Sequence, residues 1–261
     1  MSTKFALSLC AILGIAVALS ALAAEPSAPP SQAGSSAKIA PLADKLLTEA
    51  CGVLGSAKAF TFHAEINFDE VLPSAVKVQF AGAMDFALQR PGELAVDYRS
   101  DLGAKKLWYQ NGELTILDPP HMVFATVTMP PSIDGMLEQG AANNNIAIPL
   151  SDLAYSDPCH RIRKQVIFGG YVGLNDVNGI ACEHIAFSTA TVDLQLWLQH
   201  SGKPIPRKIV INYRTEPGSP EYAAVLSHWT FPSNIPAGLF HPELSSKAKR
   251  IDFVKIKETN P

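Results

Sequence analysis

The sequence predicts a mainly β domain of the α+β class: a curved antiparallel sheet packed with an N-terminal helix and a central helical insertion. Three observations lead there. An amphipathic segment at helical spacing opens the folded region, the chain then switches to a period of two and keeps it over most of its length, and one stretch near the middle returns to helical spacing.

Each element follows from its residues. From Pro41 to Ala57, Leu42, Leu46, Leu47, Ala50 and Leu54 recur at helical spacing, with Asp44, Lys45 and Glu49 elsewhere on the wheel, so this segment reads as an amphipathic helix. Phe60, Phe62, Ala64, Ile66 and Phe68 then alternate with Thr61, His63, Glu65, Asn67 and Asp69. Pro73-Ser74 turns the chain, and Val76, Val78, Phe80, Met84, Phe86 and Leu88 repeat the alternation. These are neighbouring antiparallel strands with one dry and one wet face. Further strands read at 94–98, 106–109, 113–117 and 122–128, with Asn111-Gly112 as a hairpin turn because it tolerates positive φ. Ser132 to Asn143 and Pro149 to Ser156 are helical, and strands resume at 166–174, 181–187, 192–198, 207–213 and 222–231, with one more from Ile251. About ten strands at about 4.8 Å span about 48 Å, whereas each helix covers about 10 Å. The helices cannot cover so wide a dry face, so the sheet curls and is expected to keep an apolar cavity.

The first residues read as a secretory signal peptide: Lys4, an apolar run from Phe5, and small residues before a cleavage point near Ala23 or Ala24. The organisation expected is therefore a signal peptide over 1–24, a Pro/Ser-rich flexible linker over 25–38, and one domain over 39–258 in the periplasm or outside the cell, with no transmembrane segment after cleavage. The chain carries 21 basic and 24 acidic residues, a balance that argues against a nucleic-acid partner. Three cysteines survive cleavage, Cys51, Cys159 and Cys182, which allows one disulfide and one free thiol. The sequence leaves all three pairings open; the shorter loop favours Cys159 with Cys182.

At Phe62-His63-Ala64, Val78-Gln79-Phe80, Tyr171-Val172-Gly173, Cys182 to Phe187, Asp193 to Trp197 and Pro206 to Tyr213, the chain resembles a bacterial periplasmic family known only as domain of unknown function 2092, over about Lys38 to Phe253. That family in turn resembles the lipoprotein-carrier (LolA/LolB-like) superfamily. The resemblance implies that the curved sheet forms an incomplete β-barrel, a half-barrel whose helices close a hydrophobic cavity for acyl chains; related half-barrels also serve as envelope sensors. It carries over no catalytic residue.

The residues themselves offer no catalytic set. Cys182 and His184 share a strand face, but two ligands do not make a metal site. Cys159-His160 points its side chains to opposite sides, and His63 and Glu65 sit on the wet face. Gly169-Gly170-Tyr171-Val172-Gly173 lacks the spacing of a phosphate loop and reads as a bulge. What stands out is an aromatic and methionine stripe on the dry face. The expected cavity lining is Phe62, Phe68, Phe80, Met84, Phe86, Tyr98, Met122 and Met136. The expectation is a non-enzymatic binding or carrier protein, without a cofactor, whose partner is a lipid, an acyl chain, an acylated protein or another hydrophobic small molecule. A non-catalytic envelope sensor that engages an envelope protein is the alternative.

Overall fold

Two long strands carry the register of the whole molecule. In β1 (Ala59–Val71) and β2 (Lys77–Gln89), thirteen residues pair without a slip from Ala59↔Gln89 to Val71↔Lys77. Alternation puts Phe60, Phe62, Ala64 and Ile66 on one face, where they are buried with Met84, Phe86 and Leu88. This is a computed structural model; it describes residues 38–144 and 146–253. The expected signal peptide and its cleavage point, and the linker before Lys38, lie outside the described residues.

A meander continues through β3 (Glu93–Ser100), β4 (Gly103–Gln110), β5 (Glu113–Asp118) and β6 (Val123–Thr128). A second meander runs through β7 (Phe168–Val177), β8 (Ile180–Ser188), β9 (Val192–Gln199), β10 (Pro206–Tyr213) and β11 (Glu221–Thr230). The last strand of the second pairs antiparallel with the first strand of the first, β11 with β1. A two-residue strand, β12 (Lys249–Arg250), adds in parallel to β6. The result is a 12-stranded sheet in the order β12-β6-β5-β4-β3-β2-β1-β11-β10-β9-β8-β7. Its outermost strands, β12 and β7, do not pair with each other, so the barrel is incomplete, as the resemblance implies. At the β4–β5 turn Asn111 and Gly112 adopt φ of 54° and 75°, the left-handed pair that such a hairpin requires. The register of β7 against β8 slips between Tyr171 and Gly173, which makes the glycine-rich stretch a bulge. A side chain at Gly169 would start 2.6 Å from the Phe187 ring, so only glycine lets these strands approach.

The helix α1 (Pro41–Ser56) starts on Pro41, whose missing N–H costs nothing in a first turn, and buries Ala43, Leu46, Leu47, Ala50 and Leu54 against the concave face. The insertion holds α2 (Ile133–Asn144), a 3-10 turn at Ser151–Ala154 and α3 (His160–Gln165). The helix expected over Pro149 to Ser156 is only that short turn, and α3 was not legible because none of its six residues is buried. Helices and strands are fastened at one end of the sheet. Tyr109 donates its hydroxyl to the Pro130 carbonyl, and Arg90 Nη2 donates to the Leu54 and Tyr155 carbonyls at 3.5 and 2.9 Å. We call this the helix end.

Two expectations are corrected here. The bridge is Cys51–Cys159, not Cys159–Cys182, and Cys182 is the free, buried thiol. Loop length governs chance encounter, but the fold sets the pairing. Cys159 packs under α1 on the concave side, whereas Cys182 alternates with Ile185 and Phe187 and so faces the convex side, with the sheet between them. The convex face is also less wet than expected. The segment after β11, through a 3-10 turn at Ala237–Phe240, covers Ala59, Ala87, Ala95 and Trp108 with Ile235 and Phe240, making a second small core there.

Candidate functional site

The concave face divides into a packed half and a half-open half, and the expected lining residues divide with it. Phe62, Met84, Phe86 and Met136 lie in the packed half, each no more than 2% exposed. Phe62 stacks on Phe86 with ring centroids 4.8 Å apart and meets Trp229 at 4.6 Å, and Met136 of α2 is buried in the same core. These four are core. Rings at such spacing fill their volume with neighbouring atoms and leave none for a guest.

At the opposite end of the strands, Phe68, Phe80 and Tyr98 are only half-buried. Phe68 pairs with Phe80 across β1 and β2, with centroids 5.9 Å apart, and with Tyr222 across β1 and β11. Tyr222 was not among the expected residues, although β11 was, because one aromatic at a strand start carries no signal until its neighbours are known. Its hydroxyl oxygen is buried and has no hydrogen-bond partner among the described residues. Burial, reinforced by the neighbouring Tyr98 and Tyr213 phenols, pushes the Tyr222 hydroxyl far above its ordinary acidity range, so it stays a neutral donor and acceptor. The open end is thus a half-buried aromatic patch on the concave face, with one unsatisfied hydroxyl among its rings. An orphaned buried hydroxyl costs about 1–3 kcal/mol, which a ligand atom placed there would recover.

Met122 is corrected. It sits in the turn after Pro119-Pro120 with φ of 53° and is 37% exposed, so it lines nothing. Two adjacent prolines force that turn before β6 begins, and the strand starts one residue later than the alternation suggests.

The polar clusters are structural. His184 holds Asn175 Oδ1 at 2.9 Å and Gln195 Oε1 at 3.1 Å and stacks 3.9 Å from Trp197; burial pushes its pKa down. Cys182 beside it is a buried thiol with its pKa pushed up by burial, the opposite of an activated nucleophile. Among the described residues no cluster of three or more His, Cys, Asp or Glu is arranged to hold a metal ion, and no helix is long and apolar enough to cross a membrane.

Residues 43–254 match the family described as "Predicted periplasmic protein (DUF2092)". The chain belongs to the DUF2092 family. Membership agrees with the periplasmic location read from the leader. No curated protein matches the DUF2092 chain. Among solved structures it is similar to LprF from Mycobacterium bovis, at 14% identity and a TM-score of 0.48, over 77% of this chain and 98% of that one. It is also similar to the lipoprotein LppX from Mycobacterium tuberculosis, at 12% identity and 0.41, over 74% and 99%. A LolA superfamily protein from Nitrosomonas europaea is similar at 10% identity and 0.38, over 77% and 98%.

Proposed function

We propose that this DUF2092 protein binds or carries a hydrophobic ligand, a lipid or the acyl chain of an acylated protein, at the open end of its curved sheet. The observation that carries the reading is the Tyr222 hydroxyl, buried and unsatisfied within the concavity formed with Phe68, Phe80 and Tyr98. An acyl chain would lie over the exposed parts of Phe68, Phe80 and Tyr98, and the Tyr222 side chain would turn outward to bring its buried hydroxyl to an ester carbonyl or hydroxyl of the same molecule. Phe62, Met84, Phe86 and Met136, in the packed half at the other end of the strands, would not touch the ligand. This reading assigns the open end a binding role and no chemical step.

Native mass spectrometry of protein isolated from its own envelope tests this. The wild type should retain a lipid-sized adduct, and Tyr222→Phe should retain it less. A wild type that carries no adduct and takes up no added lipid overturns the reading.

One observation favours a second reading, an interaction module that engages an envelope protein. The edge strand β7 and the residue before it expose Ile167, Phe168, Val172 and Leu174, each more than half exposed. Residues 38–40 already bond to this edge at Gly169, and the exposed apolar side chains on the rest of the outermost strand suit strand-to-strand contact. A co-purifying protein in place of a lipid adduct would favour it.

A further inference from the structure

Away from the open end, a trough runs along the C-terminal half of α1, between that helix and the β9–β10 connection. It consists of two hollows that share Val53 and Ser56. One, about 410 Å³, has Ala57, Lys58, Lys203 and Phe231 among its walls; the other, about 490 Å³, has Glu49, Gly52, Gly202 and Pro204. Both are open, shallow depressions, so a ligand here would lie along the surface with one side exposed.

Its chemistry is polarised along its length. At one end the floor is Phe231, the outer ring of a column that continues through Trp229 at 5.9 Å and Phe62 at 4.6 Å into the core. Lys203 Nζ lies 4.1 Å from the Phe231 ring centroid, and Lys58 stands exposed on the same hollow. Among the described residues neither ammonium has a carboxylate partner, in a chain whose acidic residues outnumber its basic ones. The far end carries Glu49, held by Lys45 at 3.9 Å. A bound anion is therefore drawn to the Lys58 and Lys203 end and repelled from the other.

We infer that this trough is a binding site for a single alkyl or acyl chain with an anionic head, a carboxylate or a phosphate. The head sits at Lys58 and Lys203, and the chain runs from there over Ala57 and Val53 along α1. Gly52 extends the trough, since a Cβ built there meets no atom within 4 Å and the helix presents bare backbone. This site shares no lining residue with the open-end concavity and stands whether or not that concavity binds lipid.

The test is an amide-resolved NMR titration of the full chain with dodecanoate, dodecyl phosphate, dodecanol and inorganic phosphate. At least one of the two anionic amphiphiles should shift the amides of Gly52, Gly202 and Ser233 saturably, and the one that does so names the head group. Dodecanol should bind roughly three- to tenfold more weakly, the range expected for two exposed charge contacts. Gly52→Leu adds a good helix former whose side chain enters open space, so it should fill the trough and abolish the shifts in a folded protein. Lys58→Ala combined with Lys203→Ala should erase the preference for the anions over dodecanol. Tyr222→Phe should leave this binding unchanged, which separates a failure here from a failure at the open end. The inference is overturned if dodecanol binds as tightly as the anions, if inorganic phosphate alone reproduces the shifts, or if Gly52→Leu leaves the affinity unaltered.

Discussion

Cys51 in α1 and Cys159 at the start of α3 are bonded to each other across 108 residues of chain, with their Cα atoms 5.9 Å apart. The link fastens the N-terminal helix to the insertion, the two elements that cover the concave face. Closing a loop of that length removes unfolded-state freedom worth at most about 4–5 kcal/mol. Replacing both cysteines by serine should lower the denaturation midpoint. Thiol titration of unreduced mature protein in denaturant should find one thiol, Cys182; finding three would refute the bridge.

Tyr222→Phe should act in opposite directions on stability and on binding. Removing the orphaned hydroxyl relieves a cost of about 1–3 kcal/mol, so urea denaturation of the ligand-free protein should show a variant at least as stable as the wild type. The same change should weaken lipid uptake. A variant less stable than the wild type would mean the hydroxyl is satisfied within the fold.

Phe62→Ala and Phe80→Ala separate core from concavity. Phe62 touches Phe60, Phe86 and Trp229, and its truncation should cost about 3–5 kcal/mol. Phe80 is half-buried, so its truncation should cost about 1–2 kcal/mol while reducing ligand uptake more than Phe62→Ala does per unit of folded protein. Equal destabilisation by the two would make the open end ordinary core.

His63 should make stability depend on pH. Its Nε2 lies 2.9 Å from Glu65 and its Nδ1 2.7 Å from Asp85. Two carboxylates accept from both ring nitrogens only when the ring is protonated, so the bonds to Glu65 and then Asp85 raise the His63 pKa. Arg99, 3.7 Å from Asp85, and the His228 ring, 6.0 Å away, face the same cluster. A raised folded-state pKa means the stabilisation is fully present below the unfolded value of about 6.5 and is lost as pH rises through the folded value. His63→Gln should therefore cost more stability near pH 5.5 than near pH 8.5, these being rough brackets of that range. A difference independent of pH would contradict the doubly bonded imidazolium.

Phe240→Ala should loosen the convex-face core without disturbing the concave one. Phe240 is fully buried with Trp108 beneath the segment after β11. The expected outcome is a loss of about 3 kcal/mol and a red-shifted Trp108 emission as water reaches the ring. Unchanged emission would mean the segment stays docked without it.

Local alternation determined most of the scaffold. In β1, β2 and β9 the side-chain period is two whatever the neighbours are, so the dry face, the wet face and the curl of an under-covered sheet were legible from residue order. The helix α1 was legible for the same reason at its own period, and so was the Asn111-Gly112 turn. Tertiary structure decided what adjoins what. Whether Phe62 or Phe68 faces a guest depends on which end of β1 the helices cover, a contact between residues far apart in sequence. The partner of Cys159 depends on which side of the sheet Cys182 points toward, not on loop length. Tyr222 became a candidate only when pairing of β11 with β1 brought a buried hydroxyl beside Phe68 and left it without a partner, because satisfaction of a polar atom is a property of its surroundings and not of its residue type.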